Sequence, residues 1–299
     1  MLLAAIDIGT NAVRLYFSFV FTQNKQVVVE KASLMRIPIR LGEDVFSTHI
    51  ISEEKQERLL KTMRAFKLLI EVYQPVAWKA FATSAMREAM NQKEVIDLVA
   101  RETGVTIEVI DGLEEASLVS AFSDISFPMT REYIMYIDVG GGSTEISVLK
   151  EKKLIGSNSF KIGTVRLLKD MVAVKEWEDM KKWLKQFKKR HKSMLLVGSG
   201  GNINKINKIY GQIPENILTY NQLVYALSDL ATYTLEERIQ TLGMRPDRAD
   251  VIIPAGNIFE FIMQQVKADV IFVPKIGLSD GMVTKLYKEQ IMSAGISST

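Results

Sequence analysis

The sequence predicts an α/β protein built from two similar halves, and three observations support that prediction. The chain has 299 residues, 47% of them hydrophobic, which favours two domains of ordinary size with sizeable cores. Strand-like apolar runs alternate with amphipathic, helix-like segments, as in sheets covered by helices. The phrase "IDIGTNAVRL" at residues 6–15 is closely repeated as "IDVGGGSTEISV" at residues 137–148, and each copy places an Asp before a Gly-containing turn.

The first half is predicted to begin with strands joined by hairpins. The run "LLAAIDIG" is typical of a strand buried on both faces, and two further strands follow with a turn at "TQNKQ". Apolar residues recur at helical spacing over 52–73 behind a Ser52 cap, which predicts an amphipathic helix. We then expect a strand in "PVAWKAFATS", one helix through "AMREAMNQKEVIDLVARETG", a strand in "VTIEVI" and a helix in "LEEASLVSAFSDI".

The second half repeats this style from residue 133 onward. A helix over "EWEDMKKWLKQFKKRHK" has an apolar stripe with lysines opposite, which favours a core-facing helix with a solvated face over a polyanion-binding helix. A third apolar strand, "MLLVGSGGNINKI", again ends in a Gly turn that opens a helix. We expect two domains, 1–122 and 123–299, and a last helix, about 283–299, that is able to return to the first domain.

Composition excludes several kinds of site. The chain has no cysteine, which rules out disulfides, thiolate zinc sites and a cysteine nucleophile, and two histidines cannot form a His-rich metal cluster. A net charge of +3 is too small to indicate a nucleic-acid partner, and none is expected. The start lacks the basic segment of a signal peptide, and no apolar run approaches the roughly 20 residues of a membrane span. We therefore expect a cytoplasmic protein without a membrane partner.

The repeated phrase has the features of a phosphate site. An Asp at the carboxyl end of a buried strand lies at the edge of the sheet, where open α/β folds bind ligands. Glycines after it allow a tight turn that exposes backbone N–H groups as an anion nest. A single copy could merely connect two strands, but two copies at corresponding positions favour two loops that grip a metal-bound phosphate from both sides of a cleft.

The order of the motifs resembles a known family. The segments "AAIDIGTNAVRL", "ATSAMREAMN", "VIDGLEEASL", "DVGGGSTEI", "GTVRL", "VGSGGNINKI", "RADVIIPAGNI" and "IGLSDGMV" occur as in the exopolyphosphatase and guanosine pentaphosphate phosphatase (Ppx/GppA) family. That resemblance implies the actin-like (ribonuclease H-like) duplicated two-domain fold with a central cleft. It also implies a phosphoanhydride hydrolase that uses Mg²⁺ to release terminal phosphate from polyphosphate or pppGpp.

The resemblance also implies roles for individual residues. Glu115 matches the general base that activates water, Arg87 matches a phosphate-binding arginine, and Asp138 and Glu145 match acidic residues at the metal. The two phosphate-binding loops would contain Gly9, Thr10, Asn11, Gly141, Gly142 and Ser143.

From residue types alone, plainer roles stay open for several of these side chains. Glu114 and Glu115 could be first-turn acids that complement a helix dipole, and Arg87 could be a surface ion-pair partner. Asp7 could cap backbone groups or approach a metal. Arg166 could contact a distal phosphate, although a solvent-exposed position is the simpler expectation.

Departures from the family pattern concern the substrate. Ser117 stands where the family often has Arg, and Asn202 stands where the third Gly turn usually carries Thr. The resemblance implies a short form without the helical domain that longer relatives append, so the grip on long polyphosphate and the preferred chain length stay open. Preference for polyphosphate or pppGpp and formation of a homodimer stay open.

Two other functions are compatible with these motifs. An ATP-dependent kinase of the same superfamily would use the loops for nucleotide, but it would have no use for Glu115 at the family position. A sensor that binds alarmone or polyphosphate with little turnover is conceivable from Ser117 and Asn202. Such a sensor would not need a general base positioned to activate water.

Overall fold

The computed structural model describes residues 1–23, 26–120, 131–188, 193–212, 215–274 and 276–293. The chain divides into two compact units: unit 1 is Met1–Ile125 with Leu278–Thr299, and unit 2 is Ser126–Gly277. The boundary that we expected after residue 122 lies outside the described residues.

Unit 1 contains a mixed sheet that begins with an antiparallel meander. Its described strands are β1 (Leu2–Ile8), β2 (Val13–Gln23), β3 (Gln26–Ile37), β4 (Ala77–Ala82) and β5 (Ile107–Val109). They lie in the order β3-β2-β1-β4-β5, with β4 parallel to β1 and β5 parallel to β4. The carboxyl ends of β1, β4 and β5 therefore meet at one edge of the sheet.

Helices cover this sheet. The described helices of this part of unit 1 are α1 (Leu41–Thr48), α2 (Glu53–Tyr73), α3 (Ser84–Glu88), α4 (Gln92–Thr103) and α5 (Gly112–Ser120). The predicted amphipathic helix is confirmed as α2: Ser52 caps it by accepting from the Lys55 N–H, and Leu59, Met63 and Phe66 are buried.

The single helix predicted through residues 85–103 is wrong, because the chain breaks it into α3 and α4. The intervening residues bond to another segment instead of continuing the helix. The Met90 N–H donates to the His49 carbonyl at 2.7 Å. The Asn91 side chain both donates to and accepts from the backbone of Ile51. These long-range hydrogen bonds cannot be read from local helical propensity.

Unit 2 repeats the strand order of unit 1. Its described strands are β6 (Tyr133–Val139), β7 (Thr144–Lys150), β8 (Lys153–Phe160), β9 (Met194–Ser199), β10 (Ile217–Thr219) and β11 (Val270–Phe272). The order β8-β7-β6-β9-β11 reproduces β3-β2-β1-β4-β5, with the same parallel and antiparallel relations, and β10 adds an edge strand. The duplicated actin-like (ribonuclease H-like) α/β fold is thus confirmed.

The helices of unit 2 pack around one hydrophobic core. The described ones are α6 (Thr164–Leu168), α7 (Val174–Lys185), α8 (Gly201–Tyr210), α9 (Tyr220–Thr232), α10 (Leu235–Gln240), α11 (Pro246–Ala249) and α12 (Ile252–Val266). Met180 and Leu184 of α7 are buried in that core, which confirms the predicted apolar stripe, whereas Lys181, Lys182 and Lys185 are exposed.

The last described helix, α13 (Leu278–Ser293), packs against β1, β2, β3, β4 and α5 of unit 1. It begins at Leu278 rather than near residue 283. None of the helices in the described ranges combines the length and the apolar character needed to cross a bilayer.

Candidate active site

In unit 1, the first copy of the repeated phrase forms the β1–β2 hairpin. Asp7 lies directly opposite Arg14 in the hairpin register, and the Arg14 guanidinium donates to the Asp7 carboxylate. Asp7 is 1% exposed. A buried carboxylate needs such a partner, so the charge of Asp7 is offset within the hairpin itself.

The loop of this hairpin is tied to the protein through its carbonyl groups. The Thr10 carbonyl accepts from the Gly42 N–H at 3.0 Å, and the Asn11 carbonyl accepts from the Arg40 N–H at 3.1 Å. With its carbonyls held at the start of α1, the loop can present N–H groups to an anion. Gly9 begins the loop.

A second contact joins this loop to α3. The Thr10 and Ser84 hydroxyls are hydrogen-bonded at 2.7 Å, and both side chains are buried. Ser84 is the first residue of α3, the helix that also carries Arg87. The predicted phosphate loop and the predicted phosphate-binding arginine are therefore joined by one short hydrogen-bonded path.

Arg87 and Glu115 lie close together. The Arg87 Nη1 atom donates to the Ile110 carbonyl at 2.6 Å and lies 3.7 Å from the Glu115 Oε2 atom. Glu115 is 6% exposed, whereas a quarter of the Arg87 side chain is exposed. The Arg87 guanidinium thus places a positive charge beside the buried Glu115 carboxylate.

The two neighbouring glutamates of α5 are separated by their contacts. Asp111 caps the helix by accepting from the N–H groups of Leu113 and Glu114. Glu114 binds Lys285 of α13 at 2.7 Å, whereas Glu115 faces Arg87. Both glutamates occupy the first turn, as the helix-dipole interpretation requires, but only Glu115 is beside a predicted phosphate-binding group.

In unit 2, the second copy forms the β6–β7 hairpin with a different charge pattern. Asp138 lies directly opposite Glu145, so two carboxylates share one face of the sheet. Glu145 is 2% exposed and accepts from the Ser159 hydroxyl of β8 at 2.7 Å. Asp138 is half-buried.

The glycine loop between these strands is held from behind by α6. The Gly140 and Gly141 carbonyls accept from the N–H groups of Thr164 and Val165 at 3.0 and 2.8 Å. A Cβ on Gly163, the residue before α6, would overlap the backbone of Gly141 and Gly142. The loop and the start of α6 therefore pack closer than any side chain at residue 163 would allow. Ser143 ends the loop and is buried.

Arg166 is one residue whose expected position was wrong. It is 8% exposed rather than solvated, and its Nε atom donates to the Gly142 carbonyl at 2.7 Å. The arginine thus supports the second loop. Its burial follows from the close packing of α6 on the loop, which the sequence did not reveal.

The third Gly turn lies beside the acidic pair. Gly200 has a φ of 106°, and a Cβ there would be 3.3 Å from the Asp138 Oδ1 atom. Only glycine adopts this conformation readily, and only glycine leaves that space next to the carboxylate. Asn202 follows in the first turn of α8.

The donor set at Asp138 and Glu145 suits Mg²⁺. No group of three or more acidic or histidine side chains within the described residues is arranged to hold a metal. Mg²⁺ commonly takes only one or two protein carboxylates and completes its shell with water and phosphate oxygens. Two carboxylates beside a phosphate-type loop fit that coordination.

The chain is similar to several known proteins. The profile of the Ppx/GppA phosphatase family matches residues 26–290. The chain belongs to the Ppx/GppA phosphatase family. A solved Ppx/GppA family member from Aquifex aeolicus superimposes with a TM-score of 0.74 at 27% identity, over 97% of this chain and 98% of that one. An exopolyphosphatase from Cytophaga hutchinsonii shows the same fold, with a TM-score of 0.82 at 22% identity over 97% of this chain and 98% of that one.

Two further proteins are similar to this chain in sequence. The Exopolyphosphatase 1 of Mycobacterium leprae is 23% identical over 95% of this chain and 89% of its own length. A bifunctional 3-dehydroquinate synthase/phosphatase of Fusobacterium nucleatum is 29% identical over 90% of this chain, and the match spans 44% of that protein.

Sequence reasoning missed several residues that contact the candidate site. Arg14 and Ser159 become visible only through strand register, which places them opposite Asp7 and Glu145. Ser84 stands inside a motif that was recognised, but its contact with Thr10 spans 74 residues.

Proposed function

We propose that this protein is a phosphoanhydride hydrolase that releases terminal phosphate from inorganic polyphosphate, from pppGpp or from both. The observation that carries the proposal is the buried Glu115 carboxylate beside Arg87, in a family of phosphatases. A carboxylate and an arginine at the sheet edge that holds a phosphate-type loop suit water attack on a phosphoryl group. The exopolyphosphatase names of several relatives favour polyphosphate.

In the proposed reaction, Glu115 orients a water molecule and accepts its proton. A bond forms between the water oxygen and the terminal phosphorus while the bridging P–O bond breaks. The products are inorganic phosphate and a chain shortened by one phosphate. Phosphoryl transfer passes through a loose transition state with charge spread over the oxygens, so positioning and positive electrostatics supply most of the catalysis.

Arg87 and the loop N–H groups would meet that charge. The guanidinium can donate to phosphate oxygens while its Nη1 atom stays bonded to Ile110. The loops that Gly9 and Gly140 begin would bind phosphate oxygens through the backbone donors of Thr10–Asn11 and of Gly141–Ser143. When bound, Mg²⁺ would neutralise phosphate charge beside Asp138 and Glu145. That the two loops act on one substrate stays a prediction.

The test is phosphate release measured side by side on short polyphosphate, long polyphosphate and pppGpp, each with Mg²⁺ and with excess chelator. We expect Mg²⁺-dependent release from at least one substrate, and the comparison of short with long polyphosphate measures the preferred chain length. Wild-type protein that binds these compounds tightly yet releases no phosphate would contradict the proposal and favour a sensor. Full activity in chelator would contradict the metal role alone.

A further inference from the structure

The first turn of α13 is fixed to β2 by a buried hydrogen bond. The Tyr16 hydroxyl donates to the Asp280 carboxylate at 2.5 Å, and the two residues are 1% and 5% exposed. Lys31 lies 3.7 Å from the other carboxylate oxygen. Burial, reinforced by the charge of Asp280 and this hydrogen bond, raises the pKa of Tyr16 far above its ordinary value. Tyr16 therefore keeps its proton and remains a donor.

The next residue, Gly281, brings α13 against α5. A Cβ added at Gly281 would overlap the carbonyl oxygen of Leu118. That oxygen belongs to the backbone of α5 and cannot rotate away as a side chain would. The separation of the two helices at this point is therefore set by the absence of a side chain.

One turn along α13, an ion pair continues the same contact. Lys285 donates to the Glu114 carboxylate at 2.7 Å, with about a third of each side chain exposed. The hydrogen bond with Glu114 raises the pKa of Lys285, although desolvation opposes it. Gly281 and Lys285 are four residues apart, as are Leu118 and Glu114, so the two contacts form a seam one turn long between antiparallel segments.

We propose that this seam positions Glu115, with Gly281 and Lys285 as positioning residues for the base. Glu115 lies on α5 between the two points that α13 holds, next to Glu114 and one turn before Leu118. Helix α13 also contacts β2 through the bond between Asp280 and Tyr16. The β1–β2 hairpin and α5 are therefore both held by α13. The inference rests on the proposed role of Glu115 and adds the groups that fix where its carboxylate lies.

The experiment measures kcat and KM for phosphate release from short polyphosphate, together with thermal unfolding. Because misplacing a catalytic group by about 1 Å can cost as much as ~10²-fold, we expect Gly281→Ala and Lys285→Met to lower kcat by about 10- to 100-fold with KM little changed. Lys285→Arg should retain most activity. Exchange of the charges in Glu114→Lys with Lys285→Glu should recover kcat relative to either single variant.

A matched control comes from the same helix. Glu289 of α13 forms an ion pair with Lys79 of β4 at 2.9 Å, and about 40% of each side chain is exposed. Lys79→Met removes a pair of the same type without touching α5, and its kcat should equal that of the wild type. A loss of kcat with Lys79→Met equal to that with Lys285→Met would overturn the inference, since any break along α13 would then act alike.

The outcomes also separate this inference from the proposed function. If Glu115→Gln is inactive while the folded Lys285→Met and Gly281→Ala proteins keep wild-type kcat, the positioning role is wrong and the base assignment stands. If charge exchange restores the unfolding temperature but not kcat, the seam is structural only. If the wild type releases no phosphate, the proposed function itself fails. Should Gly281→Ala not fold, the charge-exchange series decides.

Discussion

In the hairpin of unit 1, Asp7 lies opposite Arg14, whereas in the hairpin of unit 2 the same register position pairs Asp138 with Glu145. The two backbones otherwise correspond closely. The Gly9 N–H donates to the Ala12 carbonyl at 3.1 Å, and the Gly140 N–H donates to the Ser143 carbonyl at 3.0 Å. One hairpin offsets its own carboxylate, while the other holds two carboxylates together.

The two hairpins therefore share the backbone conformation of the loop but differ in the charge of the residue opposite the aspartate. Like charges directly opposite each other in a sheet are destabilising, so a pair such as Asp138 and Glu145 is suited to a bound cation. An internal ion pair such as that of Asp7 and Arg14 leaves no need for one. We therefore propose the metal role for the hairpin of unit 2 and not for that of unit 1.

Among the variants that test this comparison of the two hairpins, those of the acidic pair should show the largest effect. Glu145→Gln keeps the shape and the Ser159 contact but removes one charge at the proposed metal position. Loss of a group that stabilises transition-state charge commonly costs about 10²–10³ in turnover, and we expect that loss here. Raising Mg²⁺ should recover part of it. An unchanged Mg²⁺ dependence in a folded Glu145→Gln protein would contradict the assignment.

The next prediction compares two glycines that pack against the loops, Gly163 beside the loop of unit 2 and Gly42 beside the loop of unit 1. Gly163→Ala would force a methyl group onto the backbone of Gly141 and Gly142, which has little room to adjust. Gly42→Ala would meet the Thr10 methyl and the Phe46 ring, which are side chains. Overpacking typically costs about 1–3 kcal/mol, and Gly163→Ala should lie at the upper end. Denaturant unfolding of both variants checks the order, and a larger loss for Gly42→Ala would reverse the account.

Asp7→Asn should act on stability rather than on metal dependence. It leaves Arg14 without its carboxylate, and because a third of the Arg14 side chain is exposed, water replaces part of the lost interaction. We expect a loss of about 1–2 kcal/mol in the free energy of unfolding. The Mg²⁺ concentration for half-maximal activity should equal that of the wild type. A marked shift in that concentration would place Asp7 at the metal after all.

The smallest effect concerns acid stability near the loop of unit 1. Burial raises the pKa of Asp44 in α1, but hydrogen bonds from Ser52 and Lys55 outweigh it and leave the pKa below its ordinary value of 3.8. The lowered pKa stabilises the folded state above that value, and the gain is lost as pH falls through the folded pKa. Asp44→Asn should weaken the pH dependence of the free energy of unfolding below pH 4. An unchanged pH dependence in that range would contradict the role given to Asp44.

Much of the fold was predictable from the sequence, because it depends on local pattern. The runs that became β1 and β6 are apolar and end in Asp-x-Gly, and Ser52 marks the start of α2. The break between α3 and α4 was not predictable, because Asn91 bonds to Ile51, forty residues away. Local propensity carries no information about such a partner.

The candidate site divides in the same way. The loops and their donors were visible as motifs, whereas the roles of Glu115 and Arg87 came from family resemblance and not from their residue types. The contacts that hold them were hidden, since Ser84 reaches Thr10 and Lys285 reaches Glu114 only in the folded chain. Arg166 was expected at the surface and is buried, because the packing of α6 against the second loop depends on a glycine at residue 163.

The most direct test of the central claim compares two neighbouring glutamates of α5. Steady-state phosphate release and substrate binding would be measured for Glu115→Gln and Glu114→Gln on the substrate that the wild type prefers. A positioned general base is worth about 10²–10⁴ in rate, so Glu115→Gln should lose that much in kcat while its affinity holds or improves. Glu114→Gln still offers Lys285 a hydrogen-bond acceptor, so it should lose less than Lys285→Met and far less than Glu115→Gln. Near wild-type kcat in a folded Glu115→Gln protein would contradict the account and return Glu115 to the role of a helix-start carboxylate.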